Sequence, residues 1–342
     1  VYDGLRSVAR VALLDSRLTR EHYERRKPMR YAHHMRGAYR ILVENHVPFD
    51  IIADERLKDD DALAMLSRYD AVILANVACL TDRQRQVLDD YVEAGGGLIA
   101  TYETSLWDDK GNEGNQFRLR CLPAKSLEFK REDMRGAYLW LDEDIPGCEK
   151  TKRALIDEAY LFVRYEGEPC LRFDPPQPFG PPEKCYQLPG VGSERPGIIF
   201  GRYGQGKVAY FPWKVDRLYY RHSLEECAKL LHFALSKVRR MPPIVSTNAP
   251  PQVEMSIGAN RAGDLIIHLV NFSGKQDTAY FMPLPIHNIE IEVKAEIAAQ
   301  QAQLLWANSE MPCERTSQGI KLRVPKVELI EAIRIPGGAA SL

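Results

Sequence analysis

No sustained charge of one sign runs through these 342 residues: 46 Lys+Arg stand against 47 Asp+Glu, for a formal net charge of −1. A chain so balanced offers no field to gather a polyanion, and no basic run is interleaved with aromatics, so nucleic acid is not an expected partner. The seven cysteines, at 79, 121, 148, 170, 185, 227 and 313, contain no C-x-x-C pair. That removes a zinc knuckle and a redox dithiol and leaves ordinary reduced thiols. No cofactor and no metal are expected; His33 and His34 are adjacent on a predicted helix, where successive side chains diverge. No apolar run approaches the roughly 20 residues that cross a bilayer. No signal sequence is expected. The expectation is a cytoplasmic protein without membrane contact.

What is present suits two domains, since this length exceeds one ordinary core. Short apolar runs at Val8 to Leu14, Phe49 to Ala53, Asp70 to Ala75 and Leu98 to Thr101 read as buried strands. Between them, Tyr31 to Asn45 places Met35, Ala38, Tyr39, Leu42 and Val43 at helical spacing, and Leu57 to Leu66 repeats the pattern. Thr81-Asp82-Arg83-Gln84 has the form of a capping box and opens a helix through Val92, which Gly95-Gly96-Gly97 breaks. This alternation predicts an α/β fold with a doubly wound parallel sheet, flavodoxin-like, because parallel neighbours need crossover helices.

Residues 105 to 195 predict an irregular surface excursion, with a possible helix near Lys150 to Glu158 and a proline cluster at 174–182. Gly197 to Pro212 reads as a hairpin on a glycine-bearing turn, and Leu224 to Val238 as a helix with one apolar face. Arg239-Arg240-Met241-Pro242-Pro243 has the composition of a linker. The predicted division is residues 1–240 and 241–342. Beyond the linker, short strand-like runs without intervening helices, from Leu265 to Ile335, predict a small all-β sandwich.

Several residues gather where a parallel sheet would present its carboxyl ends, the usual position of a ligand crevice. Glu103 follows the fourth strand at a sharp turn, where a carboxylate can act as acid, base or hydroxyl acceptor. Tyr102, Trp107 and Asp108 share its rim. Asp216, Arg217, Tyr219, Tyr220, Arg221 and His222 crowd charge and aromatics into a predicted loop, a composition common at binding sites and interfaces. The blander readings are a half-buried structural Cys79, a local Asp216–Arg217 ion pair with packed tyrosines, a satisfied core His268, and solvated faces at Glu143/Asp144 and Asp157/Glu158.

The Glu93-Ala94-Gly95-Gly96-Gly97-Leu98 strand entry, and above all the block from Phe211-Pro212-Trp213-Lys214-Val215-Asp216 to His222, resemble the β-galactosidase trimerisation domain of bacterial glycosyl hydrolases. The resemblance implies a class I glutamine amidotransferase-like fold in which Glu103 stands where the nucleophilic cysteine would be. The segment from Asp264 to Glu331 is similar to the small β-sandwich that ends such chains. What the resemblance implies is a non-catalytic accessory region serving homo-oligomerisation, a trimer in the family's own term, and shaping a carbohydrate site. The catalytic carboxylates of these enzymes sit on a barrel that this sequence lacks, and Val1 is not an initiator methionine, so a fragment of a longer hydrolase is expected. Two alternatives stay open: a stand-alone hydrolase using Glu103 with Asp108 or Asp216, and a sugar- or metabolite-binding module.

Overall fold

Strands dominate the molecule. A computed structural model describes residues 1–176 and 195–339, with 40% of the chain in strands and 21% in helices. The largest sheet has nine strands in the order Phe49–Ala53, Val11–Asp15, Ala71–Leu74, Gly97–Thr101, Gly206–Phe211, Pro196–Tyr203, Glu168–Asp174, Ala124–Trp140, Arg153–Tyr165. From Val11–Asp15 across to Gly206–Phe211 the neighbours run parallel; from there onward every pairing is antiparallel. The expected doubly wound, flavodoxin-like and amidotransferase-like α/β class is therefore corrected: the sheet is mixed, and the protein is mostly β.

The correction has a local cause. Residues 105–195, expected to be irregular, supply the 17-residue strand Ala124–Trp140 and the 13-residue strand Arg153–Tyr165, and the helix expected near Lys150 to Glu158 is absent. Their pairing shifts register four times, twice around the Met134–Glu158 pair, and each bulge adds a residue that breaks the two-residue alternation of a strand. Similarly, Val215–His222 is a helix where a loop was expected, and Leu57 to Leu66 divides into a 3-10 turn at Asp54–Lys58 and a short helix at Ala62–Leu66. The proline cluster lies outside the described residues from 177 on, as does Cys185.

Elsewhere the local chemistry works as the sequence requires. Thr81 accepts from the Gln84 amide, and the Gln84 side chain receives the Thr81 amide at 2.9 Å, closing the capping box on helix Asp82–Glu93. At Gly97 an added Cβ would stand 2.5 Å from the Val238 carbonyl oxygen and 2.8 Å from that of Asp70, so only glycine admits this strand between its neighbours. The hairpin forms as Pro196–Tyr203 against Gly206–Phe211, and helix Glu225–Val238 buries Cys227, Leu230, Leu231, Ala234, Leu235 and Val238.

Two compact units are present, one of Val11–Ile41 and Ile51–Met241, the other of Val1–Arg10, Leu42–Asp50 and Pro242–Leu342. In the second unit, antiparallel sheets of six and four strands share a core that includes Val253, Leu265, Ile267, Ile291, Leu322, Val324 and Ile333. His268, expected in that core, is half-buried and stacks on Tyr2 at 5.5 Å. Among the described residues no helix is long and apolar enough to cross a membrane.

Candidate functional site

The carboxyl end of strand Gly97–Thr101 turns abruptly because Tyr102 adopts a left-handed backbone at φ +50°, rare for a bulky residue. Two bonds hold it there: the Tyr102 amide donates to the Phe211 carbonyl at 2.8 Å, and the Tyr210 hydroxyl donates to the Tyr102 carbonyl at 2.6 Å. Glu103 follows, its amide donating to Asn76 Oδ1 at 3.2 Å. Its side chain is wholly buried, with Lys130 Nζ at 3.1 Å and Lys27 Nζ at 3.3 Å. Burial alone would push this carboxyl up, but the two ammonium groups overcome it and hold Glu103 below the ordinary range. Lys130 also pairs with Glu113 and is itself pushed up by its two carboxylates, against the pull of burial.

The rim expected around Glu103 closes into packing. Trp107 is buried, edge-on to Tyr23 at 5.1 Å, with Arg26 and Lys27 over its ring at 5.4 and 5.8 Å. Asp108 turns to its own loop, accepting from the Lys110 amide at 2.9 Å, the Asn112 amide at 2.7 Å and Asn112 Nδ2 at 2.9 Å. Cys79 is buried and its thiol is pushed up to about 12, first by desolvation and then by Asp108, which leaves no reactive thiolate at neutral pH.

Asp216 lies at the start of helix Val215–His222, wholly buried, and is bonded on both oxygens. His34 Nδ1 meets Oδ1 at 2.6 Å, the Arg217 amide donates to Oδ1 at 2.8 Å, and Thr101 Oγ1 donates to Oδ2 at 2.8 Å. Gly37 makes this possible: a Cβ there would fall 1.9 Å from the Asp216 carbonyl oxygen, so helix Arg30–Glu44 reaches this closeness only without a side chain. The same helix takes Tyr220, which stacks on His33 at 4.6 Å, and Tyr219, which lies under Arg40 at 5.2 Å. His222 is exposed at the end of its helix.

Glu158 was expected on a solvated face; instead its side chain is 14% exposed beneath three cations. Lys214 Nζ lies 3.2 Å from Oε2, Arg217 Nε 2.7 Å from the same oxygen, and Arg221 pairs with Oε1. Burial would raise this carboxyl, yet Lys214, Arg221 and Arg217 bring it down to about 2. Lys214 is almost wholly buried, its ammonium 4.9 Å from the Tyr102 ring centroid; desolvation, only partly offset by Glu158, lowers it to about 8.

Of the expected residues, Tyr102 and Glu103 adjoin through the turn, and Arg217 and Arg221 converge on Glu158. Glu103, Asp108 and Asp216 are each held by a separate set of donors. Lys27, His34, Asn76, Lys130, Glu158 and Lys214 were not singled out as ligands of this region. His34 and Glu158 were named only as a non-ligand and as part of a solvated face; a signal for Lys214 is its place as the one cation among apolar neighbours in Phe211-Pro212-Trp213-Lys214-Val215. Among the described residues no group of three His, Cys, Asp or Glu side chains is arranged to hold a metal ion.

Residues 9–116 match the family of the β-galactosidase trimerisation domain. No curated protein matches the chain. Among solved structures, α-L-fucosidase isoenzyme 2 from Paenibacillus thiaminolyticus is 18% identical with a TM-score of 0.71, over 97% of this chain and 49% of that one. The β-galactosidase from Bacillus circulans sp. alkalophilus is 13% identical with a TM-score of 0.65, over 96% and 42%. The β-galactosidase from Rahnella sp. R3 is 17% identical with a TM-score of 0.64, over 97% and 42%. The chain thus spans about half the length, or less, of the solved structures it matches. Over residues 9–116 it resembles the β-galactosidase trimerisation domain, and over nearly its whole length it shares the fold of part of these glycosidases.

Proposed function

We propose that this chain is an accessory region of a glycoside hydrolase, one that holds protomers together as a homo-oligomer, a trimer by the family's description, and borders a carbohydrate site. Bond cleavage then belongs to carboxylates on a catalytic barrel that this sequence does not contain. The observation that carries the reading is the state of the carboxylates at the sheet's carboxyl end. Glycoside hydrolysis needs one carboxyl poised to give up a proton and a second acting as base or nucleophile, roughly 5 to 9.5 Å away. Glu103 is sealed and held ionised by Lys27 and Lys130, Asp216 is saturated by three donors, and Asp108 is spent on its own loop. Glu103 and Asp108 are held below the ordinary carboxylate range, the opposite of what a proton donor needs, and the oxygens of Asp216 are already taken by donors.

Purified chain should therefore leave aryl β-galactosides and aryl α-L-fucosides intact. Turnover abolished by Glu103→Gln would replace this reading with the self-sufficient hydrolase.

A further inference from the structure

The cations that surround Glu158 also form a wall of an open cleft of about 880 Å³, lined by Arg30, Glu132, Arg135, Asp157, Glu158, Lys214, Arg217 and Arg221 among others. Glu158 reaches them from a left-handed backbone at φ +72°, inside a stretch of shifted register between strands Ala124–Trp140 and Arg153–Tyr165. Such a conformation is unfavourable for glutamate, and the fold keeps it where it aims one carboxylate at Lys214, Arg217 and Arg221. One carboxylate against three cations leaves positive charge uncompensated around Glu158, and across the whole cleft five cations, with Arg30 and Arg135, face four acids. Of the other three acids, Glu132 is engaged by Arg30 and Lys27 and Asp133 by Arg131, while Asp157 completes the lining. Arg217 is half-used. Its Nε donates to Glu158, but its Nη1 is buried without a hydrogen-bond partner among the described residues. A buried guanidinium nitrogen left unpaired is costly, and a turn of the Arg217 side chain toward an oxygen anion in the cleft would relieve it.

We propose that this cleft binds a small oxyanion-bearing sugar, a sugar acid or a sugar phosphate. Its carboxylate or phosphate is seated on Arg217, Arg221 and Lys214, and its hydroxyls donate to the acids that line the same cleft. The oxyanion seat stands on the cleft itself; the sugar part rests on the carbohydrate reading above. Forked guanidinium groups match such oxygens geometrically, which is why arginine dominates sites of this kind.

Isothermal titration of the purified chain with galacturonate, galactose 6-phosphate, galactose and inorganic phosphate tests it. Galacturonate or galactose 6-phosphate is expected to bind saturably, more tightly than galactose and than phosphate, with affinity falling as salt is added. Arg221→Gln, at a side chain 40% exposed, and Arg217→Lys are each expected to weaken that binding roughly tenfold. Heat from none of the three anions, or galactose binding as tightly as its charged relatives, would overturn the site; both comparisons use the unaltered protein. Phosphate binding as tightly as galactose 6-phosphate would remove the sugar from the assignment. Light scattering on the same samples reads the assembly proposal separately.

Discussion

Glu103 occupies a position that invites chemistry and is denied it by its neighbours. A buried carboxylate without counter-charge would take up a proton, and so become a possible acid; two ammonium groups within 3.3 Å remove that option. Glu103→Gln leaves Lys27 and Lys130 facing a buried amide, and the expected loss is ~3 kcal/mol of stability, read as a lower urea midpoint at unchanged slope. Glu158 gives a pH signature. Its carboxyl falls from 4.5 to about 2 in the folded chain, so its stabilising effect is complete above pH 4.5 and is lost as pH drops toward 2. The full effect is at most ~3 kcal/mol. Urea unfolding of the parent chain and of Glu158→Gln should therefore differ most near pH 6 and converge toward pH 2.5. A constant gap across that range would mean the three cations do not act on Glu158 as described.

At the level of elements, helix Arg30–Glu44 matters because it brings His34 to Asp216, and Gly37 sets that approach. Gly37→Ala forces the helix away from Asp216 and should cost about 2–3 kcal/mol, with a change in the His34 ring resonances that a merely weakened helix would not give. Thr81→Ala removes one half of the capping box and should cost about 1 kcal/mol, without touching those resonances. Both the box and the helix were legible in the sequence, because caps and one-sided apolar spacing are local. So were the strands at 11–15, 71–74 and 97–101, whose residues are almost all buried. The strands at 124–140 and 153–165 were not legible: one edge pair in a mixed sheet exposes much of its length, carries Lys, Arg, Glu and Asp there, and hides its alternation behind bulges. The error in fold class follows from those two elements together with strand Glu168–Asp174 from the same stretch, which join the hairpin strand Pro196–Tyr203 to make the antiparallel half of the sheet. The site was legible as a place rather than as a set of contacts, since Glu103 and Asp216 could be picked out by position. Their partners Lys130 and His34 lie 27 and 182 residues away, and only the folded sheet joins them.

On the scale of the whole molecule, the solved relatives show the same arrangement of strands at 13–18% identity, so the fold persists while the side chains are largely replaced. Fold alone does not fix function; the proposed accessory role rests on where the charged groups point. Glu103, Asp108 and Asp216, the three carboxylates the sequence offers for hydrolysis, are each already bonded, which supports the proposal that this region binds and assembles. Assembly is the part of that claim most open to direct measurement. Multi-angle light scattering of the purified chain at graded concentration should give a mass about three times the 38.9 kDa of one chain. A single species at 38.9 kDa throughout the concentration range would contradict it.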